Sequence, residues 1–134
     1  MKNVGISKMK KIIEKIKAKI RGTIDLERLI KDGLSVGDNF HAQEGVIIDP
    51  GHCWLIEIGN NVTLAPRVHI LAHDASTKNI LGYTKISNVK IGNNVFVGAG
   101  TIILPGVTIE DNVIIGAGSA VSYTHLRAHE TVLD

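Results

Sequence analysis

The sequence predicts an all-β solenoid of hexapeptide repeats preceded by an α-helical segment. Three observations carry that reading. Aliphatic residues recur every six positions from Ile58 to Val121, a helical period is confined to the first 33 residues, and the apolar vocabulary is Ile, Val and Leu with 14 glycines and only 4% aromatic residues. A chain of 134 residues holds one domain with a modest core, which excludes a two-domain enzyme. The single cysteine, Cys53, has no partner for an internal disulfide, the pattern of an intracellular protein. No apolar run approaches the ~18 residues of a membrane span, and the start lacks the apolar stretch of a signal peptide. The expectation is a cytoplasmic protein without stable membrane insertion.

Residues 1–33 form the helical segment. From Ser7 to Arg21, Met9, Ile12, Ile13, Ile16 and Ile20 fall on one stripe of a helix with lysines opposite, and Gly22 stops it. A second helix spans Asp25 to Lys31, with Leu26, Leu29 and Ile30 on its apolar face. Thr23 or Asp25 serves as its N-cap and Gly33 stands past its end. These helices read as a lid or an oligomer contact. Residues 1–31 carry ten Lys and Arg against three acids. Anionic lipid or nucleic acid could meet such a segment, but no aromatic residue interleaves with the lysines as base stacking requires, so the expectation is a solvated helix face with no nucleic-acid partner.

Residues 34–121 carry the repeat. Ile58, Leu64 and Ile70, then Ile91, Val97, Ile103, Ile109, Ile115 and Val121, stand six apart within each block. Ile, Leu and Val make up about a third of the chain, so chance fills roughly three of these nine slots, and all nine are filled. Small or branched residues follow four positions later (Val62, Val68, Val95, Thr101, Val107, Val113, Ser119). Gly59, Ala65, Gly92, Gly98 and Gly116 follow immediately, where coils approach closely. Three such units make a triangular coil, and stacked coils bury the aliphatic slots in one prism-shaped core. Val36, Ala42 and Ile48 repeat the pattern in a shifted phase, which demands a four-residue insertion near Cys53 to Glu57. The chain thus supplies about four coils.

The repeat breaks at residues 72–85, AHDASTKNILGYTK. An excursion at a corner costs only loop-closure entropy and is where function concentrates.

The stretch IGNNVFVGAGTIILPGVTIEDNVIIGAGSAV at residues 91–121 resembles the hexapeptide-repeat acyltransferases, in particular sugar O-acetyltransferases of the maltose and galactoside type and their capsule-modifying relatives. The resemblance covers residues 34–121 and implies a left-handed parallel β-helix. The hand rests on the resemblance alone, since parallel crossovers are otherwise right-handed. It further implies acetyl transfer from acetyl-coenzyme A, as co-substrate and with no metal, to a hydroxyl of a saccharide acceptor, in a homotrimer. His73, at the start of the excursion, matches the family's catalytic histidine, and a neutral imidazole with an unperturbed pKa of ~6.5 suits a general base. His69 is its nearest rival, in a slot read as a coil corner. Ala99 matches the backbone N–H that supports the thioester oxygen, with Gly98 beside it. Phe96 and Ala117 match contacts to the pantetheine arm.

On the acceptor side the resemblance points to Asp49, His52 and Trp54 in DPGHCW. The asparagine of some relatives is not evident among Gln43, Glu44 and Gly45. After Val121 the family continues through a threonine-lysine-aspartate turn to a last coil, whereas residues 122–134 read SYTHLRAHETVLD, with Tyr123 near the expected lysine. The six-residue pattern stops at Ser122, so this tail reads as foreign to a C-terminally truncated domain, in the manner of a fusion scar. His125, His129 and Glu130 superficially suggest a metal pair, without HExxH or a third ligand nearby. Two other readings stand beside acetyl transfer. One is a zinc enzyme of the γ-class carbonic anhydrase type using His52, His69 and His73, although the spacing of the last two is narrower than that family's. The other is an inactive scaffold.

Overall fold

The computed structural model of the chain describes residues 2–122 and 125–128. The first helix, α1 (Lys2–Arg21), starts five residues before the apolar stripe predicts, because helix propagation needs backbone bonds rather than apolar contacts. Gly22 ends it in a left-handed conformation (φ 71°). The Gly22 N–H donates to the Lys19 carbonyl (3.2 Å) and the Thr23 N–H to that of Ala18 (2.9 Å), a Schellman arrangement. The second helix, α2 (Leu26–Lys31), is capped by Asp25 rather than Thr23, the carboxylate accepting from the Arg28 N–H at 3.2 Å. Buried Cys53 places its Sγ 3.6 Å from the Leu29 carbonyl and 3.7 Å from that of Asp32, which seats α2 on the body.

The body is a three-sided stack. Its first coil is β1 (Ser35–Val36), β2 (His41–Ala42) and β3 (Ile47–Ile48), and its second is β4 (Ile56–Ile58), β5 (Val62–Leu64) and β6 (His69–Ile70). A hairpin then intervenes, with β7 (His73–Asp74), the turn α3 (Lys78–Leu81) and β8 (Lys85–Ile86). The third coil is β9 (Val89–Ile91), β10 (Val95–Val97) and β11 (Ile102–Ile103), and the fourth is β12 (Thr108–Ile109), β13 (Ile114–Ile115) and β14 (Ala120–Val121), followed by β15 (His125–Leu126). Strands of successive coils pair in parallel into three sheets, β1-β4-β9-β12-β15, β2-β5-β10-β13 and β3-β6-β11-β14. Pairing runs slot on slot: Ile58 on Ile91, Leu64 on Val97, Ile70 on Ile103. All nine aliphatic slots are 3% exposed or less, and the seven residues four positions later are buried with them. Stacking alone gives these short strands their stability.

The register pairs Val36 with Ile58, which places the expected four-residue insertion in a 3-10 turn at Cys53–Leu55. Two ladders that periodicity did not foresee run up one corner. Asn39, Asn61, Asn94 and Asn112 all adopt left-handed φ of 54–60°. Their side-chain amides link in sequence at 2.8, 3.1 and 3.1 Å, which offsets the steric cost of that conformation. Beside them the side-chain oxygens of Asn60, Asn93 and Asp111 accept from the backbone N–H of Asp38, Asn60 and Asn93 at 2.6–2.7 Å. The repeated Asp/Asn-Asn pair of the sequence was the available signal.

Three expectations are corrected. The excursion is an antiparallel hairpin that closes through the Ser87 N–H on the Ala72 carbonyl (3.0 Å), so the coil resumes at Val89 and not after residue 85. His69 lies on strand β6 rather than at a corner. Stacking also continues past Ser122, because β15 pairs with β12 and Leu126 is buried. Leu126 follows Val121 by five residues instead of six, so a strict six-residue count misses it. Tyr123, His129 and Glu130 lie outside the described residues. His125 bonds to Glu110 at 2.6 Å.

Candidate active site

His73 stands where the chain leaves the second coil. Asp49 stands at the same corner one coil earlier, its N–H donating to the Ile70 carbonyl at 2.8 Å. The register of β3 on β6 therefore brings the two side chains together, with Asp49 Oδ2 2.5 Å from His73 Nδ1. The carboxylate is 1% exposed and the imidazole 39%. Oδ2 also accepts from the Ala72 N–H (3.0 Å), and Oδ1 accepts from the Gly51 N–H (3.1 Å). Burial pushes the Asp49 carboxyl up, but the His73 hydrogen bond, the two backbone N–H groups and the His73 charge together outweigh it and hold the carboxyl below its ordinary value. An ionised carboxylate only accepts, so His73 Nδ1 carries a proton, and in the neutral form of the ring Nε2 presents the lone pair. Held this way, a neutral His73 has Nε2 available to accept a proton.

His52 completes the cluster. Its ring centroid is 4.7 Å from that of His73, with planes tilted by 36°. Its Nδ1 lies 3.6 Å from Asp49 Oδ1, is buried and has no hydrogen-bond partner among the described residues. The ligand atoms of Asp49, His52 and His73 all lie within 4.8 Å of one another. This group differs from the set of the alternative zinc reading, His52, His69 and His73, in holding Asp49 in place of His69. His69 alternates with buried Ile70 and so stands on the outer face of its strand, between Ile47 and Ile102.

Of the residues expected on the acceptor side, Asp49 and His52 are assembled with His73, Asp49 with its carboxylate turned onto the imidazole. Trp54 is exposed on the 3-10 turn and lines a separate hollow of about 310 Å³ with Leu55, Glu57, Asn88 and Lys90. The residues expected on the cofactor side lie elsewhere. Phe96 is half-exposed on the outer face of β10, between Thr63 and Ile114. Gly98, Ala99 and Ala117 occupy the edge between the second and third sheets, whereas His73 occupies the edge between the third and the first. A Cβ on Gly98 would collide with the Ala117 nitrogen, so glycine is what lets these coils close. Ala99 is exposed and its N–H has no partner among the described residues, while its carbonyl accepts from the Gly118 N–H at 2.8 Å.

The pairing of Asp49 with His73 was missed by sequence reasoning, which assigned Asp49 to the acceptor. The signal was the coil register, since Asp49 follows Ile48 as Leu71 follows Ile70.

Comparison with known proteins finds a family model described as Bacterial transferase hexapeptide (six repeats) matching residues 88–122. Protein CapG of Staphylococcus aureus is 48% identical over 59 residues, which are 41% of this chain and 34% of that protein. Galactoside O-acetyltransferase of Escherichia coli K12 is 39% identical over 95 residues, 66% of this chain and 44% of that one. The crystal structure of a maltose O-acetyltransferase from Clostridium difficile 630 superposes with a TM-score of 0.58 at 30% identity, covering 90% of this chain and 79% of that chain. The chain spans between about a third and less than half of the length of the curated relatives it matches.

Proposed function

The chain belongs to the hexapeptide-repeat acyltransferases, with their left-handed parallel β-helix, and from that premise we propose that it transfers acetyl from acetyl-coenzyme A to a hydroxyl of a saccharide, with His73 as general base. The observation that carries the reading is the hydrogen bond from His73 Nδ1 to buried Asp49. It leaves Nε2 to take the acceptor hydroxyl proton while the oxygen attacks the thioester carbonyl. The C–O bond forms, the oxyanion is supported by the Ala99 N–H, and collapse of the tetrahedral intermediate breaks the C–S bond. The imidazolium then returns its proton to the departing thiolate.

Asp49 positions the base rather than touching acceptor in this reading, and His52 remains the acceptor-side residue beside it. The saccharide class is supported by the names of the galactoside and maltose acetyltransferases that the chain resembles. Phe96, Gly98, Ala99 and Ala117 form the coenzyme side. Because they and His73 occupy different edges of one prism, a complete site joins one copy's His73 edge to a neighbour's Ala99 edge, as in a closed homotrimer.

The test is thiol release from acetyl-coenzyme A by the purified chain over a panel of saccharides. Acceptor-dependent release, lost on His73→Ala with the circular dichroism unchanged, is expected. Release that His73→Ala leaves intact would overturn the role of His73, and no release with any hydroxyl acceptor would favour the scaffold reading.

A further inference from the structure

We propose that α1 is an interfacial anchor that lies on an anionic lipid surface, independently of the reaction the body performs. The helix is 20 residues long, about 30 Å, and is exposed along its length except at half-buried Ala18 among the residues whose side chains are described. Ile6, Met9, Ile12, Ile13, Ile16 and Ile20 are 45–80% exposed, so the apolar stripe that would ordinarily seat a helix on its own domain touches almost nothing. At about 100° per residue these six span an arc of about 120°. Lys8 and Lys19 stand on one border of that arc, and Lys10, Lys17 and Arg21 stand on the other.

That distribution decides the occupant. The helix carries eight Lys and Arg against one acid, Glu14, which pairs with Lys17 at 3.4 Å. A second copy of α1 laid against the apolar arc would bring lysine borders against lysine borders with no carboxylate to answer them. On the body, Asp32 already faces Arg28, Asp49 faces His73, and Glu110 faces His125 and Arg127. A nucleic acid would engage the lysines but leave the isoleucines in water, and α1 has no aromatic residue on which a base could stack. An anionic bilayer satisfies both faces at once. The arc sinks into the boundary of the acyl chains while the border lysines extend their stems over it and reach the lipid phosphates. The helix rests on the bilayer rather than crossing it, since no helix among the described residues is long and apolar enough to span a membrane. Gly22 and the residues up to Ile24 join the helix to the body outside regular structure.

The test is co-sedimentation of the full chain with vesicles of phosphatidylcholine alone or mixed with phosphatidylglycerol. Binding to the mixed vesicles that weakens with added salt is expected. Lys10→Gln combined with Lys17→Gln should lower the partition coefficient by about 10- to 30-fold. Ile16→Glu should abolish binding while leaving the melting of the body unchanged. Equal binding to both vesicles, or none to either, would overturn the proposal. So would an oligomer in lipid-free buffer that Ile16→Glu converts to monomer without any vesicle binding, because a second copy would then be the occupant.

Discussion

Asp49 and His73, 24 residues apart in the chain, meet at one corner of the solenoid through a 2.5 Å contact between Oδ2 and Nδ1. The carboxylate is also held by the Ala72 and Gly51 N–H groups, so it presents a fixed acceptor to an imidazole whose other nitrogen is free to act. Asp49→Asn places an amide there that can donate to Nδ1 and so move the imidazole proton to Nε2, the wrong tautomer for a base. Turnover is expected to fall by about 10²–10⁴-fold with little change in KM for acetyl-coenzyme A. Steady-state kinetics check this, and a raised KM with turnover unchanged would point to damaged binding instead.

The same contact makes a statement about acid stability. The folded Asp49 carboxyl lies below its ordinary value of 3.8, so its ionised form is favoured by folding. The stabilisation is therefore complete above that value and disappears as pH falls through the lower folded value. The stability gap between the native chain and Asp49→Asn should be present above the ordinary carboxyl range and should close as pH falls below it. Urea unfolding across that range measures it; a gap that widened in acid would contradict the assignment.

Asn94 carries left-handed φ and bridges two neighbours of the corner ladder at 3.1 Å each. Asn94→Ala loses both side-chain bonds and keeps the strained backbone, which costs about 1–2 kcal/mol for the conformation alone. Asn94→Gly loses the bonds without the strain. Thermal melting should rank native above Asn94→Gly and Asn94→Gly above Asn94→Ala, with the two variants separated by a few degrees, about 4 °C per kcal/mol.

Gly59 has no room for a side chain, since a Cβ there would meet Asn93 Oδ1 at 2.5 Å and the Gly92 carbonyl oxygen at 2.6 Å. These atoms belong to the next coil, so Gly59→Ala must push adjacent coils apart and should cost about 1–3 kcal/mol. Gly5→Ala in α1, with nothing within 4 Å of the added carbon, should be neutral or slightly stabilising. Chemical denaturation of the two variants compares them directly, and equal stability would contradict the close approach of the coils.

Much of the body was legible in the sequence because a solenoid solves the same burial problem on each face. Ile58, Leu64 and Ile70 had to point inward, and Gly59 had to be small, whatever the rest of the chain did. The four-residue insertion that includes the Cys53–Leu55 turn was legible for the same reason, since only its removal restores the phase. The hydrophobic pattern determined the coils, the insertion and the helices of the first 33 residues, because burial of apolar surface obeys a period. The tertiary structure alone decided that Asp49 faces His73, that His52 leaves a buried nitrogen beside them, and that Ala99 stands on another edge of the prism. Those relationships arise where the backbone leaves a strand at a corner. There a polar side chain is directed by the coil stacked against it, a neighbour one turn of the solenoid away that no local period encodes.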